Sequence, residues 1–302
     1  MRRLMTTFAL VGVFVYAQFA QAAMSSTNYQ IRWDALSTGG SDTSSSSSYF
    51  LRDSVSGSAT GDSSSTNYQV EAGYRAGVYD QVISFDLYIQ NTSGPHELSS
   101  LSGTTATMAT TSGLSVGDYV AILQNRGASQ VSAFGKITSL TSTTAVLDRM
   151  ATNGTTPTVD GSNDYLYALT GSALSLVPVE TTSVASGILA FEVTADNNNG
   201  YVIQAYEDAN PTQGSYTVAS VSDGEVTAGN EEYGARSSDT SLAGSSFDTQ
   251  DAALTTSAQD IVTKGAFAYS DRSFLTVKLG VSSQTPSATY QNSITIIASG
   301  NF

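Results

Sequence analysis

Apolar and polar residues alternate with a period of two along most of this chain, which is the signature of half-buried strands rather than helices. The first such unit, TNYQIRWDAL from Thr27, puts Tyr29, Ile31, Trp33 and Ala35 on one face and Asn28, Gln30, Arg32 and Asp34 on the other. A related unit, TNYQVEAGYRAG from Thr66, puts Tyr68, Val70, Ala72 and Tyr74 opposite Asn67, Gln69 and Glu71. The phrase SSTNYQ opens both, at Ser25–Gln30 and Ser64–Gln69, and SYFLRDSVSG from Ser48 lies between them. The intervening stretches at Ser37–Ser48 and Ser56–Ser65 are rich in Ser and Gly and have almost nothing to bury, so they read as flexible tethers. A lone tethered strand is unstable in water and must pair. It can fold back on its own chain, or add to another chain's open sheet edge.

Further on, YDQVISFDLYIQN (Tyr79–Asn91) predicts a strong strand with Ile83, Phe85, Leu87 and Ile89 on its apolar face. TSGPHELSSLSG then reads as a turn-rich break. Between Thr104 and Thr170 five short strand patterns recur, TTATMAT, GDYVAILQN, SAFGKITSLT, TTAVLDRMA and DYLYALTG, separated by Gly- and Asn-containing turns. That spacing predicts a small barrel or sandwich inserted into a larger host sheet. In the last third, ILAFEVTAD and GYVIQAYED predict two strands joined as a hairpin through Asp196–Gly200, whose residues tolerate left-handed backbone. A loop containing NEEYGARSSD follows. FLTVKLG and ITIIASGNF supply the final strands, and Thr255–Val262 is the best place for a short helix.

The residues ADNNNGY, EEYGAR and TPSATYQNSITIIASGNF together resemble a β-sandwich module of secreted bacterial surface proteins, and more distantly fimbrial subunits and WxL-type wall-binding domains. The resemblance implies an immunoglobulin-like or fimbrial-like sandwich and a surface role. Wall attachment is not carried over. Trp33 is the only tryptophan and is followed by Asp34, and no sortase-type tail is present. The expected organisation is all-β: a signal peptide at 1–22, Ser-rich strand repeats at 23–78, a sandwich from 79–92 plus 172–302, and an inserted barrel-like module at 93–171.

Composition narrows the function. Arg2 and Arg3 precede an apolar run from Leu4 to Phe19 and the small-x-small triplet Ala20-Gln21-Ala22, so secretion with cleavage after Ala22 is expected. No later segment reads as a membrane-spanning helix. The chain has no cysteine and must be held by packing alone. With 12 basic and 26 acidic residues, its net charge of −14 argues against nucleic acid and anionic lipid as partners. His96 is the single histidine and sits in the turn-rich break, where it reads as a solvent-facing loop residue. No cysteine nucleophile, G-x-S-x-G elbow or two-histidine metal set is present, so no catalytic residues are expected. Glu231 and Glu232 are adjacent and would point to opposite faces of a strand. No cofactor is expected. The exception is calcium, for which Asp160, Asp164, Asp196 and Asn198 stand in oxygen-rich loops without the EF-hand pattern.

These observations predict a non-enzymatic, secreted cell-surface protein. It is expected to be a filament or surface-layer subunit, associating with itself or with other surface proteins by strand addition through Tyr29, Ile31, Trp33, Tyr68, Val70 or Ala72. The alternative is an adhesin that binds glycans on loops of the inserted module. A third reading, an outer-membrane barrel, takes Ile294, Ile296, Ala298 and the terminal Phe302 as a last strand, but the chain lacks enough ten-residue alternating segments.

Overall fold

The computed structural model describes residues 83–177, 179–195 and 199–301, and N-terminal to these the backbone of six short strands. The chain divides into two compact units, Met1–Asp80 and Gln81–Phe302. In the first unit the strands are β1 (Ser25–Ser26), β2 (Tyr29–Gln30), β3 (Gly39–Ser45), β4 (Phe50–Val55), β5 (Gly61–Ser64) and β6 (Gln69–Ala72). They pair antiparallel in sequence, β1 with β2, β3 with β4, and β5 with β6. The Ser-rich stretches expected to be tethers therefore contribute β3 and β5. A ladder is made by main-chain amides, so a serine can serve in it without burying anything. Residues 1–22, expected to be a signal peptide, lie outside the described residues.

The second unit is all-β, with no helix among the described residues. Its first strand is β7 (Ile83–Ile89). A barrel follows, built from β8 (His96–Ser102), β9 (Thr105–Met108), β10 (Tyr119–Gln124), β11 (Val131–Leu140), β12 (Thr144–Leu147) and β14 (Tyr165–Ala168), with β13 (Ala151–Thr152) on its rim. The order β10-β14-β8-β9-β12-β11 closes because β11 returns to β10. The interior is filled by Leu98, Met108, Val120, Ile122, Ile137 and Leu166 among others. Strand β8 was expected to be a break. Its sequence HELSSLS offers only Leu98 and Leu101 as apolar anchors, but ring closure needs a sixth strand between β9 and β14. Leu98 is fully buried as a result. His96 lies on this strand, partly buried, with Nδ1 2.9 Å from the Thr110 carbonyl oxygen.

The rest of the chain forms β15 (Ala185–Ala195), β16 (Tyr201–Glu207), the small ribbon β17 (Thr212–Gln213) with β18 (Tyr216–Thr217), β19 (Glu232–Ser237), β20 (Gln259–Lys264), β21 (Ala268–Gly280) and β22 (Ile294–Gly300). They make a four-stranded sheet, β19-β21-β15-β7, and a three-stranded sheet, β20-β16-β22. The two share one core containing Phe191, Val193, Tyr201, Ile203, Leu275 and Val277. Three expectations fail here. The segments β15 and β16 are not a hairpin, because they belong to different sheets and meet face to face, which buries Phe191 and Ile203 together. The loop NEEYGARSSD contains β19, whose Tyr233 and Ala235 point into the core. Thr255–Val262 is not helical, and its end is the start of β20.

Strands β15 and β21 are covered on both faces. Their odd-numbered apolar residues enter the core between the sheets, whereas Ile188, Ala190 and Phe274 face the barrel residues Ala121, Leu123, Phe134 and Tyr167. Beside this contact Arg272 is 5% exposed in its side chain. Its Nη1 and Nη2 each donate to Asp148 from the barrel at 2.8 Å, and its Nε donates to Glu192 at 2.5 Å. Burial opposes the charge on Arg272, yet the two carboxylates hold its pKa above the ordinary range. Replacing Phe274 with Ala should cost about 3–5 kcal/mol of stability, because the cavity opens between two covered faces. Urea denaturation measures this, and an unchanged midpoint would show that the barrel and the sheet do not share a core.

Candidate functional site

The site begins with a question about where main-chain groups point. Gln90 N donates to Ile188 O at 3.0 Å, toward β15, and the Gln90 side chain accepts from Ile188 N at 2.9 Å. One residue earlier, Ile89 O turns the other way and accepts from Gly171 N at 2.8 Å. An antiparallel ladder alternates its hydrogen-bonding direction residue by residue. Phe85 and Leu87 therefore point their N–H and C=O groups away from β15, and among the described residues nothing pairs with them. Their side chains lie on the core face, where Phe85 stacks on Phe191 at 5.9 Å. Leu87 remains 40% exposed.

The same reasoning applies to β22. Asn301 N donates to Gly200 O at 2.9 Å, and Asp208 N donates to Ser293 O at 3.1 Å. Odd-numbered residues of β22 thus bond to β16, and Ile294, Ile296 and Ala298 turn their amides outward. Their side chains pack on the core but stay half-buried, as do those of Ile83, Phe85 and Ile89. Strands β7 and β22 approach one another across the two sheets. Among the described residues the core is incompletely covered along this side, and neither flanking edge is paired.

The opposite side is closed. The outer edge of β19 is met by Ala219, Val221, Phe247 and Ala252 through main-chain hydrogen bonds of 2.8–2.9 Å. On β20, Ile261 O accepts from Ser237 Oγ at 2.5 Å, and Thr263 N donates to Asp239 at 2.9 Å. Natural edges are commonly guarded by Pro, Lys or inward charge. The sequence ITIIASG of β22 has none of these.

At the root of β22 stands a buried acid. Glu207, the last residue of β16, is 2% exposed and pairs across the ladder with Ile294. Asn292 Nδ2 donates to Glu207 Oε2 at 2.8 Å and to Tyr233 Oη at 3.1 Å, which ties the approach to β22 onto the core. Burial raises the Glu207 pKa to about 7; the Asn292 hydrogen bond opposes this and the neighbouring charge of Asp208 adds to it.

The residues singled out in the sequence are distributed as follows. Tyr29 lies in β2 opposite Ser26, Val70 and Ala72 lie in β6 opposite Ser63 and Gly61, and Ile31, Trp33 and Tyr68 lie outside the described residues. Asp164 is fully buried, and its carboxylate accepts the backbone N–H groups of Asn125, Asp160 and Gly161 at 2.9–3.1 Å. Asp160 accepts from Ser162 N at 2.9 Å. Both aspartates thus staple a loop of the barrel and do not converge on a common point. Asp196 and Asn198 lie outside the described residues. Among the described residues no three His, Cys, Asp or Glu side chains cluster as a metal site, and no helix is long and apolar enough to cross a membrane. Sequence reasoning placed Phe85, Leu87, Ile294, Ile296 and Ala298 on strands but missed that their main-chain groups lie on edges unpaired among the described residues. The signal available for them was an apolar strand with no guarding charge.

No protein-family model, no curated protein and no solved structure matches this chain.

Glu207 generates a pH prediction with a definite sign. Its folded-state pKa lies above the ordinary value of 4.5, so its favourable contribution is complete below pH 4.5 and is lost as pH rises through about 7. Glu207→Gln should therefore gain stability relative to the parent between pH 5 and 8, by about 2–3 kcal/mol at the upper end. Paired denaturation curves across this range check it, and a difference that does not vary with pH would refute it.

Proposed function

We propose that this chain is a non-enzymatic structural protein of the cell surface, exported and assembled into a filament or surface layer by strand addition. The observation that carries the reading is the pair of open edges, β7 and β22, flanking apolar residues that the rest of the core leaves half-covered. A strand laid along β22 would receive the outward N–H and C=O groups of Ile294, Ile296 and Ala298, and its alternate side chains would cover the exposed part of the core. Main-chain pairing supplies affinity in this mode, and alternate side chains supply register.

The occupant we infer is a repeat strand from a second copy of the chain. The units at Tyr29-Ile31-Trp33 and Tyr68-Val70-Ala72 have the alternation that such a groove accepts. Each carries aromatic or branched residues on one face and polar residues on the other. Two such units per chain allow one copy to engage more than one neighbour. The composition supports the setting, since an acidic, cysteine-free chain with an N-terminal export-like segment suits an extracellular environment.

The test uses two changes that act on opposite partners. Ala298→Pro removes an N–H that points outward, so it spares the ladder to β16 while blocking an added strand. Deletion of residues 24–36 together with 64–74 removes both donor units. Each should abolish high-mass assemblies in light scattering and electron microscopy while leaving the monomer's unfolding midpoint within a few degrees. Assemblies that persist in both variants would overturn the reading.

A further inference from the structure

A second feature lies away from the open edges, where the barrel meets the four-stranded sheet. There the structure forms a solvent-open cavity of about 210 Å³, lined by Gln130 and Asn153 from the barrel and by Arg236, Ser237, Thr276 and Lys278 from β19 and β21. Junctions of this kind are frequent binding sites. This one is smaller than the roughly 300–1,000 Å³ of pockets that hold drug-sized molecules.

Its wall has an unusual charge. The whole chain carries 12 basic residues against 26 acidic ones, yet two cations and no carboxylate line this space. Lys278 is 5% exposed. Its ammonium donates to Asp251 Oδ2 at 3.0 Å and to the Ala128 carbonyl oxygen at 3.1 Å. Asp251 Oδ1 also lies 3.0 Å from it but accepts no hydrogen bond. An ammonium has three N–H groups, so one is left over. Arg236 donates one N–H, from Nη2 to Thr249 O at 3.0 Å, and its remaining donors have no partner among the described residues.

Thr276, 7% exposed, borders the same space. One neutral group in the same wall is also unsatisfied. Asn153 Oδ1 is buried without a partner among the described residues. Buried polar atoms are rarely left this way, because each costs roughly 1–3 kcal/mol. By contrast Gln130 is committed at both ends, donating to Ser132 Oγ at 2.8 Å and accepting from Ser186 Oγ at 2.6 Å, which makes it a fixed wall. Ser237 Oγ is likewise committed to Ile261 O.

We infer that this cavity binds a small hydroxylated organic carboxylate of about the size of a single hexuronic acid. The carboxylate would lie against Arg236 and the spare N–H of Lys278, where charge-assisted hydrogen bonds are strongest. The hydroxyl groups would serve Thr276 and Asn153. Such a ligand serves the orphaned Asn153 Oδ1 and the Arg236 guanidinium together, whereas a neutral sugar leaves Arg236, which has no carboxylate partner among the described residues, unanswered.

The probe is sodium glucuronate, titrated calorimetrically into the full chain, with glucose at matched ionic strength as the neutral counterpart. Lys278 is a poor variant because its removal strands the buried carboxylate of Asp251. Arg236→Gln and Thr276→Val leave that pair intact. Saturable one-to-one glucuronate binding is expected, with glucose at least about tenfold weaker. Arg236→Gln should weaken glucuronate by about tenfold, and Thr276→Val by a smaller factor, with little change in the unfolding midpoint. Absence of saturable glucuronate binding, equal binding of glucose, or unaltered affinity in Arg236→Gln would each overturn the inference. The assembly state does not enter any of these outcomes.

Discussion

Strands β15 and β21 are apolar on both faces, and the rest of the second unit is arranged to cover them. They are paired along most of their length, from Ala185 opposite Leu279 to Ala195 opposite Ala268. One face needs the three-stranded sheet to cover Phe191, Val193, Leu275 and Val277. The other needs the barrel to cover Ile188, Ala190 and Phe274. Neither cover alone would keep this pair from exposing a row of apolar residues to water. The barrel is therefore a necessary third layer and not an appendage. Arg272 orients that layer, because a buried guanidinium tolerates only the arrangement that supplies Asp148 and Glu192 together.

This layering gives the open edge its character. Strand β7 pairs with β15 on one side and carries Tyr88 on its outer face, where the ring stacks on Tyr119 of the barrel at 4.1 Å. It is thus held from two directions, while its outer edge pairs with no strand among the described residues. Strand β22 is held differently, by its ladder to β16 and by Asn292 reaching Glu207 and Tyr233. An edge that is fixed in place and unguarded loses little conformational freedom when another strand is added to it, which favours association.

The two candidate binding features divide the chemistry between them. The side bounded by β7 and β22 is apolar and offers main-chain groups. The junction between barrel and sheet is small, polar and cationic within an acidic chain. The first suits an extended peptide and the second a small anion. They lie at different layers, since β22 belongs to the three-stranded sheet and the cavity wall comes from β19, β21 and the barrel.

Much of the all-β architecture was legible from period-two alternation alone. Tyr79–Asn91, ILAFEVTAD and FLTVKLG announced their strands because side chains alternate with the pleat whatever the partner. What the alternation left undecided was pairing. GYVIQAYED could not reveal that it crosses to a second sheet instead of turning back on ILAFEVTAD, because a hairpin and a face-to-face crossing demand the same apolar face. HELSSLS and EEYGARS carried too few apolar residues to register as strands, and the ladder partners that make them so lie far away in sequence. The open edge and the cationic cavity depend on the same missing information. Whether an amide is paired, or a lysine buried, is set by neighbours that only the folded chain brings together.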